Sequence, residues 1–416
     1  MTNNGKHVLA AAALCGILLL ILTACDTEEE HTDLSGSMSG GTTAGAPGPE
    51  IRLPHPDGSS GVGISAQSTQ VSVLGGELTQ VTMTDQSGTQ TTGNFAPDRK
   101  SWKPDKALSQ GTTYTISAGA RQSAGAPARS ATVSFTTADA QNSTVAACTP
   151  GNGATVGVGM PVSLTFDKPV LHRDTVRSRI TVRASSGQQA TGRWLSNRRL
   201  VFRPREFWQP HSEIVVDIDL DGIPTAPRTK GVQKETLRFA VSHAQISTVD
   251  TRTHRMTVMR DGTLLSNLPV SAGAPSHPTY NGTLIISEKH KTTHMSGATV
   301  GFLPGTGDGY DIPDVPHAMR LTDSGTFIHG NYWTPRTVFG TANTSHGCIG
   351  IEDSRDGHHS GTPAAWFYDH SQPGDIIVVT GSTAPTVAPD NGLNVWNMNW
   401  NTWSPSSTSH DPATSS

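Results

Sequence analysis

The sequence predicts a mainly β protein, in which small sandwiches precede a β-rich domain with one or two short helices. Its 416 residues include 43 Gly and 27 Pro, which are unfavourable inside helices and common in turns. Only 15% of the side chains are charged, whereas long helices and coiled coils are rich in charge. Short apolar runs also alternate with polar positions, as half-buried strands require. A chain of this length can hold several domains, each with its own core.

Net charge and cysteine count argue against two classes of protein. The formal net charge is −4, whereas nucleic-acid binding requires a basic surface. The four cysteines are too few for a disulfide scaffold. We therefore expect no nucleic-acid partner and a separate explanation for each cysteine.

Residues 1–25 have the pattern of a secretion signal. Lys6 precedes an apolar stretch that is too short to span a bilayer comfortably. The string Leu22-Thr23-Ala24-Cys25 resembles the lipobox of bacterial lipoproteins, in which the cysteine is lipidated and becomes the mature N-terminus. We expect a membrane anchor at Cys25 and removal of Cys15 with the signal. The alternative is an uncleaved anchor with an incidental cysteine, and either one places the remaining chain outside the cytoplasm.

Three further regions precede the C-terminal domain. Residues 26–60 are rich in Gly, Ser, Thr and Pro, which predicts a flexible tether. Residues 61–140 and 141–243 carry short alternating strands separated by turn residues, which predicts two tandem immunoglobulin-like sandwiches. In the second module, Val162, Leu164 and Phe166 show the alternation most clearly.

Arginines and aromatic residues interleave in the second module, between residues 193 and 208. Such a pattern can bind a polyanion. The interpretation we favour places Trp194, Leu200 and Phe202 in the core and the arginines on the solvated face.

Residues 244–383 form a different domain. Thr362 can cap a helix that starts at Pro363, and the dipeptide Asp261-Gly262 predicts a hairpin turn. Residues 384–416 form a Trp-rich segment that ends in a Ser- and Thr-rich tail, which we expect to be disordered at its tip.

This domain contains the pattern of a nucleophilic cysteine, in the strings His329-Gly330 and Ser345-His346-Gly347-Cys348. A thiol is mostly protonated at neutral pH, so an imidazole must take its proton and lower its pKa. In an extended strand, His346 would stack beside Cys348 instead of facing it, so His329 is the predicted base. Gly347 has no side chain to block the approach of a substrate carbonyl. The Cys348 amide can then donate a hydrogen bond to the oxyanion.

The two strings resemble the signature of the YkuD-type L,D-transpeptidases, a histidine followed downstream by Ser/Thr-His-Gly-Cys. The resemblance covers residues 244–383. The upstream modules and residues 392–400 also resemble actinobacterial lipoprotein members, so nearly the whole mature chain is covered. It implies a lipid-anchored enzyme on the outer face of the membrane that reaches into the cell wall, with no cofactor and no metal.

The resemblance also implies roles for the individual residues. Cys348 would attack a diamino acid carbonyl in a donor peptidoglycan stem, release the terminal D-alanine and form a thioester. His329, oriented by the Gly330 carbonyl, would take the thiol proton and then serve the amine of an acceptor stem, which gives a 3→3 crosslink. His346 would shape the site, with the Gly347 and Cys348 amides at the oxyanion.

Tyr310, Ser324 and Gly325 match positions that line the donor site in the family, and Ser345 and Gly350 are further expected substrate-binding positions. Relatives usually carry Asn or Arg where Gly350 stands, so this polar contact is missing or supplied elsewhere. Carbapenems are expected to acylate the site, since the family generally accepts them as substrate mimics. The oligomeric state is left open.

Several alternatives stay open at this point. His329, His346 and Cys348 could bind zinc, although no acidic partner lies at helical spacing. His290 and His294 are spaced for one helix face and are expected to be a surface pair, and His358-His359 are expected in a loop. Cys148 is expected to be a buried thiol, with an intermolecular bridge as the alternative. The same catalytic pair would serve an L,D-carboxypeptidase, and a wall-binding lipoprotein without activity is the third possible function.

Overall fold

The computed structural model describes residues 48–301, 309–355, 357 and 360–404. The predictions for the signal, for Cys25, for the first part of the tether, for His358-His359 and for the end of the tail lie outside these residues. Within these ranges, no helix combines the length and the apolar character needed to cross a membrane.

The first module is a two-sheet sandwich with strand orders β1-β3-β6-β5 and β2-β8-β7-β4. The tether prediction is wrong from residue 50 onward, because Ile51 and Leu53 pack against the core of this sandwich. The strands are β1 Glu50–Arg52, β2 Ser59–Val62, β3 Val71–Leu74, β4 Glu77–Asp85, β5 Gly93–Phe95, β6 Ser101–Pro104, β7 Thr113–Arg121 and β8 Arg129–Thr137.

The second module has two four-stranded sheets, ordered β10-β12-β15-β14 and β11-β19-β16-β13, and a small sheet β17-β18-β9. The predicted alternation is confirmed, since Val162, Leu164 and Phe166 point into the core. Its elements are β9 Ser143–Thr144, β10 Ala146–Thr149, β11 Thr155–Val156, β12 Val162–Phe166, α1 Arg173–Ser178, β13 Ile180–Ala184, β14 Thr191–Trp194, β15 Arg199–Arg203, β16 Glu213–Asp219, β17 Pro224–Ala226, β18 Thr229–Gly231 and β19 Lys234–Val241.

The third module is built on a nine-stranded mixed sheet, ordered β23-β28-β20-β21-β22-β27-β26-β25-β24. Its elements are β20 Gln245–Asp250, β21 Arg255–Arg260, β22 Thr263–Ser271, β23 Gly282–Ile285, β24 Glu288–Ser296, β25 Asp311–Arg320, β26 Phe327–Asn331, β27 Ile349–Glu352, α2 Pro363–Asp369, β28 Ile376–Thr380 and α3 Trp400–Trp403. Short 3-10 turns lie at Ala140–Asn142, Gly297–Val300, Arg336–Val338 and Val395–Asn397.

Local sequence signals position two of these elements. The Thr362 side chain accepts the amide of Ala365 at the start of α2, as predicted for a capping residue. Asp261 and Gly262 adopt φ values of 50° and 77° and join β21 to β22, as an Asp-Gly hairpin turn requires. His290 and His294 lie on β24, not on a helix, and contact Glu288 and Asp311.

The C-terminal segment (residues 384–404) packs against the second module through its tryptophans. Trp403 is buried beside Val201, with Trp396 and Trp400 around it. Arg203 is only 2% exposed, and its guanidinium carbon lies 4.6–5.3 Å from the centroids of the three indole rings. The prediction that the arginines form a solvated face is therefore wrong for Arg203, because the indole faces and the Met398 carbonyl replace its water.

Replacing Arg203 with alanine should detach this segment from the second module. We expect a loss of about 3 kcal/mol, because a desolvated cation–π contact and a charged hydrogen bond disappear together. Urea unfolding followed by tryptophan fluorescence would measure it. The control is Arg205→Ala, since Arg205 is exposed on the same module and should change stability by less than about 0.5 kcal/mol. Equal effects of the two substitutions would contradict the prediction.

Candidate active site

Two neighbouring strands bring the predicted base and nucleophile together. β26 and β27 run parallel, with Ile328 opposite Ile349 and His329 opposite Gly350. Cys348 immediately precedes β27, so its side chain lies at the same end of the strand pair as His329. His329 and Cys348 both line one cavity of about 350 Å³. Residues that are far apart in the sequence therefore share a site because their strands are adjacent in the sheet.

The cavity has a polar and an apolar side. His329, His346 and Cys348 supply the polar groups that the sequence predicted. Met295, Ile312 and Val315 supply an apolar wall, and Cys348 itself packs against this apolar cluster. A bound group with an aliphatic stem and a reactive carbonyl would fit such a surface.

His329 is held in one orientation. Its Nδ1 donates a hydrogen bond to the Gly330 carbonyl oxygen at 2.8 Å, as predicted. Because a carbonyl only accepts, Nδ1 carries the proton and Nε2 is the acceptor of the neutral ring. Trp333, which the sequence interpretation missed, stacks on the imidazole at 5.5 Å and is 41% exposed. The sequence feature that could have indicated Trp333 is its position four residues after His329.

Burial lowers the pKa of His329, while the Gly330 carbonyl and the charge of Asp353 act in the opposite direction. Burial raises the pKa of the Cys348 thiol to about 11, and a hydrogen bond from the Phe327 backbone opposes that rise. Burial thus disfavours the charged forms of both the thiol and the imidazole. This differs from the expectation that a charged histidine lowers the thiol pKa, because removal from water disfavours both charges.

The raised thiol pKa predicts how Cys348 reacts with a small alkylating agent. An ordinary cysteine, with a pKa near 8.5, approaches its maximal rate at about pH 9.5. We expect the rate of Cys348 carbamidomethylation by iodoacetamide to keep rising up to pH 10, because the thiolate fraction is still increasing there. Mass spectrometry of the labelled peptide would measure the rate, with glutathione as the reference thiol. A rate that levels off below pH 8.5 would contradict this prediction.

The turn that carries the cysteine is bent, not extended. Gly347 adopts a φ of 115°, which favours glycine, so the residues from His346 to Cys348 do not form the extended strand considered in the sequence analysis. Ser345 Oγ donates to the Cys348 carbonyl at 2.5 Å and accepts the Gly347 amide at 3.1 Å. The Gly347 amide, predicted to bind the oxyanion, is thus already engaged. Ser345 lines the cavity and also braces the turn.

Tyr310 and His346 both line the cavity, and their rings are in contact, with centroids 5.0 Å apart. Burial raises the pKa of Tyr310 to about 12, and the nearby Cys348 adds to the rise. Tyr310 therefore keeps its hydroxyl proton at neutral pH and can donate it to a bound carbonyl or carboxylate. Tyr310 also borders a second cleft, which extends toward Thr293 and Gly325.

The turn at residues 322–326 places Gly325 and Ser324 differently. The Gly325 carbonyl oxygen lies 3.7 Å from Cys348 Sγ, so Gly325 lies beside the predicted nucleophile. Ser324, predicted to line the donor site, contacts the C-terminal segment instead. Its amide donates to Asn391 Oδ1 at 3.0 Å, and its hydroxyl accepts from Asn391 Nδ2 at 2.8 Å. Asn391 thus holds the turn that approaches the thiol.

Gly350 is buried beside an amide that the sequence interpretation missed. A Cβ at position 350 would lie 3.1 Å from Asn331 Nδ2. Asn331 lines the cavity and donates to Thr334 Oγ1 at 3.0 Å. A polar side chain from the neighbouring strand therefore occupies the space that a longer residue 350 would use. The short distance from Asn331 to His329 in the sequence was the only signal for it.

The remaining candidates show no metal site. Within residues 48–301, 309–355, 357 and 360–404, no group of three or more His, Cys, Asp or Glu side chains lies close enough to bind an ion. Cys148 is a free, half-buried thiol at the edge of the second module's core.

Two family models and several known proteins match this chain. A family model for a bacterial Ig domain matches residues 60–224, and a model for the YkuD L,D-transpeptidase catalytic domain matches residues 244–379. L,D-transpeptidase 2 of Mycobacterium tuberculosis is 31% identical over 355 residues, which cover 85% of this chain and 84% of that protein. L,D-transpeptidase 1 of the same species is 34% identical over 239 residues, which cover 57% and 85%.

Among solved structures, the crystal structure of L,D-transpeptidase 3 from M. tuberculosis in complex with a faropenem-derived adduct is 25% identical. The match covers 56% of this chain and 97% of that one, with a TM-score of 0.45. The family models locate the strands of the cavity inside the catalytic domain, and the match to L,D-transpeptidase 2 extends over most of both proteins. This chain is therefore a member of the L,D-transpeptidase family.

Proposed function

We propose that this chain forms 3→3 peptidoglycan crosslinks through a thioester on Cys348. The observation that carries the proposal is the hydrogen bond from His329 Nδ1 to the Gly330 carbonyl. It leaves Nε2 as the proton acceptor in the same cavity as the thiol. A neutral thiol that is difficult to ionise needs such a base, and the base is most effective when its orientation is held.

The first half-reaction would proceed as follows. Nε2 of His329 takes the Sγ proton as Cys348 attacks the diamino acid carbonyl of the donor stem. The tetrahedral intermediate collapses, the bond to the terminal D-alanine breaks, and the imidazolium returns the proton to the leaving amine. The Cys348 amide and the Tyr310 hydroxyl are the donors proposed for the developing oxyanion.

The second half-reaction needs an amine from an acceptor stem. The cleft bordered by Thr293, Gly325 and Phe327 shares Met295 and Tyr310 with the main cavity. Two clefts that meet near the thiol support a reaction with two peptide substrates. His329 would deprotonate the acceptor amine, which attacks the thioester and releases Cys348 as a thiol.

The decisive experiment is product analysis. The purified protein would be incubated with disaccharide tetrapeptides and the products separated and weighed. We expect a dimer whose mass equals two tetrapeptide units less one D-alanine, joined between two diamino acids. Only trimmed monomers would instead indicate an L,D-carboxypeptidase. Unchanged substrate, without a thioester on Cys348, would favour a wall-binding lipoprotein.

The proposed location is the outer face of the membrane, with a lipid on Cys25 and the active site in the cell wall. This proposal rests on the string Leu22-Thr23-Ala24-Cys25. Growth with radiolabelled palmitate should label the wild-type chain and not a Cys25→Ala variant. Equal labelling of both would rule out lipidation at Cys25.

A further inference from the structure

A buried acid and a second histidine lie behind the catalytic histidine, away from the cavity. His317 is on β25 and Asp353 directly follows β27, so they come from the strands on either side of β26. His317 Nδ1 donates to Asp353 Oδ2 at 2.7 Å. The exposed fractions of the two side chains are 5% and 0%. The mechanism above uses neither residue, yet placing a carboxylate in the interior is costly unless it is fully hydrogen-bonded.

The carboxylate of Asp353 is well supplied with donors. Its second oxygen, Oδ1, accepts the Thr362 hydroxyl at 2.7 Å and the Ser354 amide at 2.8 Å. Thr362 is also the residue that caps α2, so the start of this helix and the acid are held together. Three donors thus satisfy both oxygens of this buried side chain and hold it in one orientation.

Asp353 reaches the active site through Gly330. A Cβ added at Gly330 would overlap the Asp353 carboxylate, with Oδ2 as the nearest atom. The φ of Gly330 lies outside the left-handed range, so space and not backbone conformation requires glycine here. The carbonyl of the same residue accepts the hydrogen bond from His329. The carboxylate is therefore packed against the residue that orients the base.

His317 is itself held in an uncommon conformation. Its φ is 48°, which few residues other than glycine adopt, and the Tyr368 ring lies 5.1 Å from its imidazole. Such a backbone persists only where the surroundings determine it. Here the hydrogen bond to Asp353 and the contact with Tyr368 hold His317 in this conformation.

We propose that Asp353, held by His317, is a positioning residue that fixes the Gly330–His329 peptide and favours the protonated state of His329 during acylation. This inference rests on the proposed roles of Cys348 as nucleophile and His329 as base. When the thiol proton moves from Sγ to Nε2, the imidazole gains a positive charge. Asp353, packed against Gly330, stabilises that charge electrostatically.

The other titratable groups near His329 lie on the opposite side. Cys348, His346 and Tyr310 face it from the cavity, whereas Asp353 acts from behind, with His317 bonded to it. The charge of Asp353 raises the pKa of His329 and opposes the effect of burial. Because His317 is hydrogen-bonded to Asp353, the test must separate the effects of the two residues.

The test compares the full chain with its Asp353→Asn variant, which keeps the shape and removes the charge. Acylation of Cys348 by imipenem is followed by mass from pH 5 to 9. Its rate should rise with pH as His329 loses its proton. In the variant we expect this rise to move about one unit toward lower pH, and the plateau to fall about tenfold. A ¹³C NMR titration of the His329 ring should show the same shift without any turnover.

The matched control is His317→Asn. Asparagine tolerates the left-handed conformation, can donate to Asp353 and carries no titrating imidazole. Its pH profile should stay at the wild-type position. If Asp353→Asn does not fold, Gly330→Ala replaces it, since the added Cβ displaces the carboxylate and should move the profile the same way.

The possible results distinguish a failure of this inference from a failure of the proposed function. If the melting temperature and the plateau of the acylation rate fall in Asp353→Asn while the pH profile stays at the wild-type position, Asp353 has only a structural role. That result would overturn the inference. A shift in His317→Asn but not in Asp353→Asn would overturn it as well. Failure of the wild-type chain to acylate at Cys348 would instead contradict the proposed function, while the His329 titration would still test the effect of Asp353.

Discussion

Cys348→Ala is expected to abolish both acylation by a carbapenem and formation of crosslinked product. Among the described residues that line the cavity, Cys348 carries the only thiol that can form a thioester, so the expected loss exceeds about 10⁴-fold. Intact-protein mass after incubation with imipenem measures the first effect, and separation of products from disaccharide tetrapeptides measures the second. The cysteine is half-buried and packs against apolar neighbours, so alanine should leave the fold intact.

The matched control is Cys148→Ser. Cys148 is the other free cysteine within the described residues, and it lies in the second module. The substitution should change neither acylation nor product. A Cys348→Ala chain that still gains the mass of imipenem would show that another residue is the nucleophile, and the proposed mechanism would be wrong.

His329→Gln is expected to lower the acylation rate about 10²- to 10⁴-fold while binding is largely retained. Burial raises the pKa of Cys348 to about 11, so very little thiolate forms at neutral pH without a base. Because glutamine cannot accept that proton, the residual rate should follow the thiolate fraction. It should rise about tenfold per pH unit up to pH 10, where the wild-type rate is level.

A second histidine variant serves as the control for this result. His290 lies on β24 and contacts Glu288 at 3.0 Å. His290→Gln should acylate at the wild-type rate throughout the pH range. If His329→Gln kept a level pH profile at nearly the wild-type rate, His329 would not be the base, and His346 would become the candidate.

Together the two pH profiles distinguish general-base catalysis from a preformed ion pair. A resting thiolate–imidazolium pair would make the thiol reactive at pH 6, before any substrate is bound. The burial of both groups favours the neutral pair instead. The wild-type rate should then rise with deprotonation of His329, and the variant rate with deprotonation of Cys348.

Much of the fold could be predicted because its signals are local. A Thr-Pro start predicts α2, Asp261-Gly262 predicts a hairpin, and alternation in residues 162–166 predicts a strand with one buried face. Where a residue's environment comes from distant segments, prediction failed. The composition of residues 50–60 predicts a tether, because no neighbouring residue in the sequence indicates that Ile51 packs on a core. Arg203 was predicted to be exposed because the three tryptophans that contact it lie about 200 residues further along the chain.

The residues of the active site likewise include some that the sequence predicts and some that only the structure reveals. His329 and Cys348 were identified because their strings carry a chemical pattern, and the structure places both on one cavity. Asn331 and Asp353 carry no pattern of their own. Their significance depends on the missing side chains of Gly350 and Gly330, whose space Asn331 and Asp353 occupy from neighbouring segments.

The sequence by itself determined that this is a turn-rich β protein with a Ser-His-Gly-Cys turn and an upstream histidine. Those properties follow from residue type and short-range spacing, which need no knowledge of the fold. Only the tertiary structure decided that burial disfavours the charged forms of the thiol and the imidazole and that Ser324 contacts the C-terminal segment. It also decided that a buried carboxylate lies behind the base. The physical reason is that burial, charge and space are set by segments that meet only when the nine-stranded sheet has formed.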